Sequence, residues 1–556
     1  MNNYAIADSF SMLAKLMDIH GDNSFKAKSY SSAAFNIEKF SEEISSLAND
    51  KIFKLKGIGE TIGKKYSSCG KPAEFLNLMI TWKKRPRNFR NASYKRFRPQ
   101  KIATIWKDLE VESIGELLYA CNENRLLNYK GFGAKTQQNI QESIEFYLNN
   151  AGNYLYAQVE TYATAWQEKL AEWFPEKIFY NTGDFRRQLL IIDKLEWVTE
   201  ATANEIVKAF DSAIYTIEIN GNLITARGPE NLLLQFYCTN TALVYTNLFE
   251  TSCSEDFFTA WKTKFNWDEN KKYQSEEEIF TENNIQWIPP FLRDKPYIID
   301  KALSKQVPQV ITEKDIKGII HSHSNFSDGS NTIEQMVNGA ISKGYEYLVI
   351  SDHSKSAFYA GGLFPDKIAV QHELIDTLNE KYKPFKIFKS IESDILNDGS
   401  LDYDDNVLAS FDLVITSVHS NLKMNQEKAM MRLMNAIANP YTTILGHMTG
   451  RLLLSRKGYP VDYETIIDAC AKHNVVIELN AHPRRLDMDW NWIDVAIEKG
   501  VLISIDPDAH TIEEYDNIKY GVLAGQKGGL TKENNVSSFT LQEFEKFLLI
   551  QQEKRN

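Results

Sequence analysis

The sequence predicts a multidomain protein that is all-α at its start, α+β in its middle and a parallel β/α barrel at its end. Three observations carry that reading. Apolar residues recur three and four apart through residues 1–150, and strand-like pieces alternate with helical ones through 151–300. Beyond about residue 311, apolar runs alternate with amphipathic segments such as TIEQMVNGAISKGY and EKAMMRLMNAIANP, the mark of parallel strands joined by crossover helices. At 556 residues the chain exceeds what one hydrophobic core serves, so about two to four domains are expected.

In the first region, IADSFSMLAKLMDIH and SIGELLYACNENRL follow the helical period. Two glycine turns punctuate it, Gly57 to Gly59 in IFKLKGIGETIGKKY and Gly131 to Gly133 in LLNYKGFGAKTQQNI, each followed at once by a new helix. The second glycine of each pair frees the turn from Cβ sterics and lets a phosphate approach the N–H groups of the next helix. One such turn is commonly only a helix C-cap. Two of them around a basic run read as helix–hairpin–helix elements, which grip nucleic-acid backbone without reading bases. The run Lys83 to Lys101 holds nine Lys or Arg and no acid, although the whole chain carries a net charge of −11. Arg85, Arg87 and Arg96, with Lys65 and Lys135 behind the two turns, are the expected phosphate contacts.

Five widely spaced cysteines with no CxxC indicate a reduced, cytoplasmic setting. The N-terminus lacks the pattern of a signal peptide, and no run of about 18 apolar residues suggests a membrane span.

The middle region offers the strand-like pieces RQLLIIDKLEWV, SAIYTIEINGNLITARG and ALVYTNLF, and a proline- and charge-rich stretch from WIPPF to ITEKD reads as a linker. Seven strand-like runs follow: IKGIIHSHSNFSDG, YEYLVISDHS, FKIFKSIESDI, FDLVITSVHS, TTILGHMTG, VVIELNAHP and VLISIDPDAH. Each finishes in a histidine or carboxylate, and in a β/α barrel residues just past the strand ends converge on one mouth. His321 and His323 lie two apart and share a face on an extended strand end, and Asp328 returns from the following loop. His353, Glu392, His419, His447, Asp508 and His510 close the later strands. Imidazole and carboxylate donors suit Zn²⁺, Mn²⁺ or Fe²⁺, and the lack of cysteine among them argues against a closed structural zinc site. Nine donors exceed the needs of one ion, so two or three are expected, the usual apparatus for displacing an alcohol from phosphorus. Arg451, Arg456 and Arg485 nearby are expected to neutralise a substrate phosphate.

Residues 317–530 resemble the PHP (polymerase and histidinol phosphatase) domain in HSHSNFSDG, ISDHS, ESDIL, SVHS, GHMTGR and DAH. With LDYDDNVLASFDLVITSVHS, GRLLLSRKGYPVD and the N-terminal FSMLAKLMDIHGDNSFKAKSYSSAAFNIEKF, the chain is similar over nearly its whole length to bacterial family X DNA polymerases. The resemblance implies a small DNA-end-binding domain over residues 1–80, a fingers-like domain over 81–150, a polymerase-like palm and thumb over 151–300, a linker over 301–316 and a distorted (β/α)7 PHP barrel over 317–556. It also implies 3′→5′ exonuclease and abasic-site endonuclease activity, the nine donors above as metal ligands, and a hydroxide held by the metals as nucleophile. Some family members use a lysine six residues past the second hairpin glycine as a Schiff-base nucleophile. Here that is Lys65, for which plain phosphate contact is the leading expectation.

The palm departs from the family's pattern, which has GS followed by RR, then Asp-x-Asp on a strand, and a third Asp on a neighbouring strand. In NTGDFRRQLLIIDKLEWV, Gly183, Arg186 and Arg187 are kept, but Asp184 replaces the serine and Ile191-Ile192-Asp193 keeps only the second carboxylate. GNLITARGPENL has no acid between Asn222 and Pro229, and Glu196 or Glu218 as substitutes differ in reach and face. Two-metal nucleotidyl transfer needs those carboxylates together. The expectation is therefore a DNA-repair phosphoesterase, monomeric, acting on gapped, nicked or 3′-ended DNA with two or three Mn, Zn or Fe ions, its palm a scaffold. Mg²⁺ enters only if polymerisation persists. The alternatives are an active gap-filling polymerase with rearranged acids and a PHP-type small-molecule phosphatase, which would have no use for DNA-gripping hairpins.

Overall fold

The computed structural model describes residues 114–148, 152–228 and 232–555, with short pieces at 32–33, 104–105, 108–109 and 111. Gly57, Gly59, Lys65, Arg85, Arg87 and Arg96 of the expected DNA grip lie outside the described residues. The chain divides into two compact units, Met1–Cys121 with Tyr129–Ile144 and Asn122–Asn128 with Glu145–Asn556. No helix among the described residues is long and apolar enough to cross a membrane.

The second glycine turn lies between helices α1 (Ile114–Asn122) and α2 (Ala134–Leu148). Gly131 sits at φ +96°, which a side chain would resist, and Phe132 behind it is buried. The Gly133 carbonyl accepts from the N–H groups of Thr136 (2.8 Å) and Gln137 (3.0 Å), which starts α2. A Cβ at Gly133 would meet nothing within 4 Å, so the backbone there is open to approach, with Lys135 exposed beside it.

In the larger unit, helix α3 (Tyr156–Trp173) precedes a five-stranded sheet. Its strands are β2 (Phe179–Thr182), β4 (Lys194–Thr199), β5 (Thr216–Asn220), β6 (Leu223–Arg227) and β7 (Leu233–Cys238), in the order β2-β4-β7-β6-β5. Only β4 and β7 run parallel. The short β1 (Tyr154–Leu155) and β3 (Ile191–Ile192) pair apart from it. Trp197 stacks on Phe236 with centroids 5.3 Å apart at the centre of this layer. A helical cluster follows, in which α4 (Glu276–Glu282) packs Ile279 and Phe280 against Phe249 and Trp261.

The last part is the barrel: β8 (Gly318–Ser322), β9 (Tyr347–Ile350), β10 (Lys386–Asp394), β11 (Leu413–Ser417), β12 (Ile444–Leu445), β13 (Val476–Asn480) and β14 (Ile503–Asp506). Neighbours in sequence are neighbours in space and all are parallel, and a bridge between Ser322 and Ala509 brings the first strand to the last. The crossovers are α5 (Ile333–Ser342), α6 (Pro365–Lys381), α7 (Gln426–Ala438), α8 (Tyr463–His473) and α9 (Ile493–Glu498), with α10 (Ile518–Lys527) and α11 (Leu541–Glu553) after β14.

Strand residues alternate between two apolar layers, as the period of two requires. Ile319, Leu348, Ile387, Val414, Leu445 and Ile477 meet the crossover helices, whereas Ile320, Val349, Phe388, Ile415, Ile444 and Val476 meet one another and Phe544 and Leu548 of α11. Helix α11 thus fills one end of the barrel with apolar side chains. Each such fully buried side chain contributes roughly 1.5–3 kcal/mol. The other end is polar.

Candidate metal centre

Alternation decides what stands at the polar end. Phe388 belongs to the inner layer, so Ser390 and Glu392 of β10 share its face; Val476 carries Glu478 in the same way on β13. Strand β8 breaks the alternation. Its register with β9 shifts between Ile319 and Ser322, and His321 sits at φ +60°. The bulge turns His321 inward directly after inward Ile320, and His323 follows two residues on. Asp508, just past β14, is likewise held at φ +53°. Non-glycine residues keep such a conformation, at about 1–3 kcal/mol each, only where their surroundings fix it.

All nine sequence-predicted donors come together here. Glu392 is central: its Oε1 lies 2.9 Å from His447 Nε2, 3.1 Å from His419 Nε2 and 3.4 Å from His321 Nε2, and its Oε2 lies 2.9 Å from His353 Nδ1. Asp508 Oδ1 is 3.1 Å from His323 Nε2, and Asp328 Oδ1 is 3.5 Å from His510 Nε2 and 3.7 Å from His353 Nε2. Donor atoms fall within 4.8 Å of one another in four groups: His323, Asp328, His353 and His510; His321, His323 and Asp508; His353, Glu392 and His419; and His321, Glu478 and Asp506.

The residues fit divalent cations by a test independent of spacing. His321 Nε2, His323 Nδ1, Asp328 Oδ2, Glu392 Oε2, His447 Nδ1 and His510 Nε2 are buried without a hydrogen-bond partner, a costly state for polar atoms that a cation relieves. Protonation agrees. Burial, followed by the charges of His510 and His353, pushes His323 down to about 3, leaving a neutral imidazole with a lone pair to donate. Burial works to raise the Glu392 carboxyl, but His419, His321 and His353 around it prevail and hold it well below the usual carboxylate range.

A second layer orients these donors. Glu478 accepts from His321 Nδ1 (2.5 Å) and from the His447 backbone N–H (2.5 Å), and Asp394 pairs with His419 Nδ1 (2.7 Å). Asp352 holds the loop after β8 by accepting from Ser324 N (2.8 Å), Ser324 Oγ (2.6 Å) and Gln371 Nε2 (2.6 Å). That loop returns so closely that a Cβ at Gly329 would stand 2.0 Å from the His323 carbonyl oxygen, which is how Asp328 is delivered. Glu478→Gln keeps the size but removes the charge behind His321. It is expected to weaken Mn²⁺ affinity about 10–100-fold, read by calorimetric titration, with the fold intact by circular dichroism. Affinity within threefold of the native protein would deny Glu478 that role.

Glu478, Asp506 and Asp394 were not anticipated from the sequence. The signal was available, since an acid inside the apolar run VVIELN has to be buried with a partner. The three arginines separate. Arg485 Nε lies 3.6 Å from Asp508 Oδ2, at the cluster. Arg451 is committed elsewhere, to Asp489 Oδ2 (2.5 Å) and the Arg485 carbonyl (3.1 Å), and Arg456 donates to the Gly450 carbonyl (2.9 and 3.0 Å). Both of these hold the 449–463 loop, which with Ile191 lines a cavity of about 650 Å³.

The palm is different in kind. Asp193 is exposed between β3 and β4, and Glu218 is exposed on β5. The buried acid is Glu196, packed so tightly against Gly183 (φ +65°) that a Cβ there would stand 1.8 Å from its Oε2. Glu196 already accepts from the Tyr237 hydroxyl (2.9 Å), lies 3.2 Å from Lys194 Nζ, and faces Gln235 on β7. Arg186 makes a two-pronged pair with Glu276 (2.6 and 3.1 Å); Arg187 pairs with Asp184 and with Asp294 (2.7 Å), which also binds Lys527 of α10. Among the described palm residues, no three potential ligands share a site.

The helix-hairpin-helix domain family matches residues 1–68 and the PHP domain family matches residues 320–482. The DNA polymerase/3′–5′ exonuclease PolX of Bacillus subtilis (strain 168) is 30% identical, covering 96% of this chain and 97% of its own. A probable phosphatase of Thermoanaerobacter sp. (strain X514) is 26% identical over 38% of this chain and 86% of its own. A solved histidinol phosphate phosphatase of Lactococcus lactis matches 38% of this chain and 94% of its own, at 16% identity and a TM-score of 0.30.

Proposed function

This chain belongs to the PolX family, and from that premise we propose that its barrel is a metal-dependent phosphoesterase acting on DNA at 3′ ends, gaps or abasic sites, while its palm no longer polymerises. The observation that supports this reading most is Glu392, buried among five imidazoles with unsatisfied donors around it. The nine predicted donors, steadied by Glu478 and Asp394, would hold two or three divalent ions. When bound, such ions stabilise charge developing on phosphoryl oxygens and lower the pKa of an attacking water. The chain's own part is to keep Glu392 ionised and shared, to present His323 unprotonated, and to set Arg485 beside Asp508 as a phosphate contact. The turn at Gly131 to Gly133, with Lys135, would grip the DNA backbone.

The palm supports the second half of the proposal. Its arginines, which a triphosphate would need, are held by Glu276, Asp184 and Asp294, and Glu196, buried in its sheet, faces a glutamine across the strands. We read the domain limits as residues 1–80, 81–150, 151–300, 301–316 and 317–556. The phosphatase relatives of the barrel keep a monoesterase reading in view.

One assay separates these outcomes: the purified protein with Mn²⁺ on a 5′-labelled gapped duplex containing an abasic site, with and without dNTPs. Shortening or incision that does not depend on dNTPs and stops with chelator is expected, together with loss of cleavage in His323→Ala. Extension by dNTPs without shortening would overturn the proposal, and release of terminal phosphate alone would favour the monoesterase.

A further inference from the structure

The segment Asn122–Asn128 is fastened across the polar end of the barrel by three contacts to loops that carry cluster residues. Asn124 Nδ2 donates to Ser330 Oγ (3.1 Å), two residues past Asp328. Arg125 lies over the Tyr359 ring, 4.2 Å from its centroid, and Asn128 Nδ2 donates to the Tyr359 carbonyl. Tyr359 in turn lies 6.4 Å, ring to ring, from His353. Directly ahead of these fasteners in the chain, Glu123 turns its side chain inward, only 13% exposed, with Oε1 4.0 Å from Arg485 Nη2. Arg485 is the arginine that also reaches Asp508. A carboxylate and a phosphate offer a guanidinium the same thing, a pair of anionic oxygens. The segment leads directly in sequence into the Gly131 to Gly133 turn.

We propose that Glu123 is the specificity-determining residue of the barrel site: its carboxylate holds the seat at Arg485 that a substrate phosphate takes, and yields it to DNA engaged by the adjoining hairpin rather than to small phosphate esters. The proposal rests on the phosphoesterase reading above. At 4.0 Å the Glu123–Arg485 pair is charge attraction without a hydrogen bond, so it is a latch that a doubly bonded phosphate displaces. Tension on the hairpin acts on Asn128 and Arg125 first, because they are nearest to it in the chain. Small esters exert no such tension and have to compete with Glu123 unaided.

The test uses the full-length Mn²⁺-loaded protein, Glu123→Gln, and Arg125→Ala as a second variant that loosens the segment without touching the carboxylate. The probes are bis-p-nitrophenyl phosphate for turnover and phenylphosphonate, which has no ester bond, for calorimetric binding. A latch closed nine-tenths of the time lowers apparent affinity about tenfold, so both variants should bind phenylphosphonate about tenfold more tightly and show a correspondingly lower KM for the small ester. A phosphorothioate gapped duplex should compete with the small ester for the seat at Arg485, and its advantage over phenylphosphonate as a competitor should shrink about tenfold in both variants. Unchanged or weaker phenylphosphonate binding in both variants would overturn the assignment, as would slower small-ester turnover in Glu123→Gln. Tighter binding in a protein that hydrolyses no ester would keep the assignment and sink the phosphoesterase reading; normal DNA cleavage with unchanged binding would do the reverse.

Discussion

Glu392→Gln is expected to abolish DNA cleavage, lowering single-turnover rates by about 10³-fold, or roughly 4 kcal/mol of transition-state stabilisation. No other side chain in the cluster stands within 3.7 Å of five imidazoles, those of His321, His323, His353, His419 and His447. An amide in its place keeps the shape but loses the charge that all five share, and it turns an N–H₂ toward ring nitrogens meant to donate lone pairs. Metal content should fall with activity, measured by mass spectrometry of the desalted protein, while the apolar layers beneath preserve the fold. A variant that retains its metals and cleaves within tenfold of the native rate would remove Glu392 from the centre.

Glu276→Ala is expected to cost about 3–5 kcal/mol of folding stability, because it leaves a buried cation without its partner. Arg293 is fully buried, with Nη1 2.5 Å from Glu276 Oε1 and Nε donating to the Ile288 carbonyl at 2.9 Å. The rings of Trp287, Phe280 and Phe249 lie about its guanidinium, 4.8, 5.1 and 5.2 Å from its carbon. Those ring faces soften the loss but do not replace a carboxylate. Urea unfolding followed by tryptophan fluorescence reads the change, since Trp261 and Trp287 lie in the same cluster. A difference below 1 kcal/mol would contradict the argument. The pH dependence has a definite sign. Burial alone would raise the Glu276 carboxyl, but Arg293 and Arg186 hold it below its ordinary 4.5. The stabilisation is therefore complete above about pH 4.5 and is lost as pH falls through the lower folded value.

The barrel was legible because its signal is repetitive: seven apolar runs ended in metal-type donors, and one residue of offset would have spoiled each of them. What lay inside the strands was not legible in the same way. Glu478 comes two residues before the strand end, and the inward turn of His321 depends on a bulge that no residue type in GIIHSHS announces. Glu123 was invisible for another reason. It comes from the far side of the palm in sequence, and only the three-dimensional path of Asn122–Asn128 brings it to Arg485. In the palm-like region, the missing first carboxylate of Asp-x-Asp was readable from Ile191. The fate of Arg186 and Arg187 was not, because their partners Glu276 and Asp294 lie about a hundred residues later.

The bridge between Ser322 and Ala509 places the seam of the barrel through the cluster itself, with His321 and His323 on one lip and Asp508 and His510 on the other. During synthesis, the first of these residues leaves the ribosome nearly two hundred residues before the last. A chain interrupted anywhere in that interval carries an incomplete centre, with between one and eight of the nine donors. A chain that stops ahead of His510 therefore lacks part of the second lip and cannot assemble the complete set of donors.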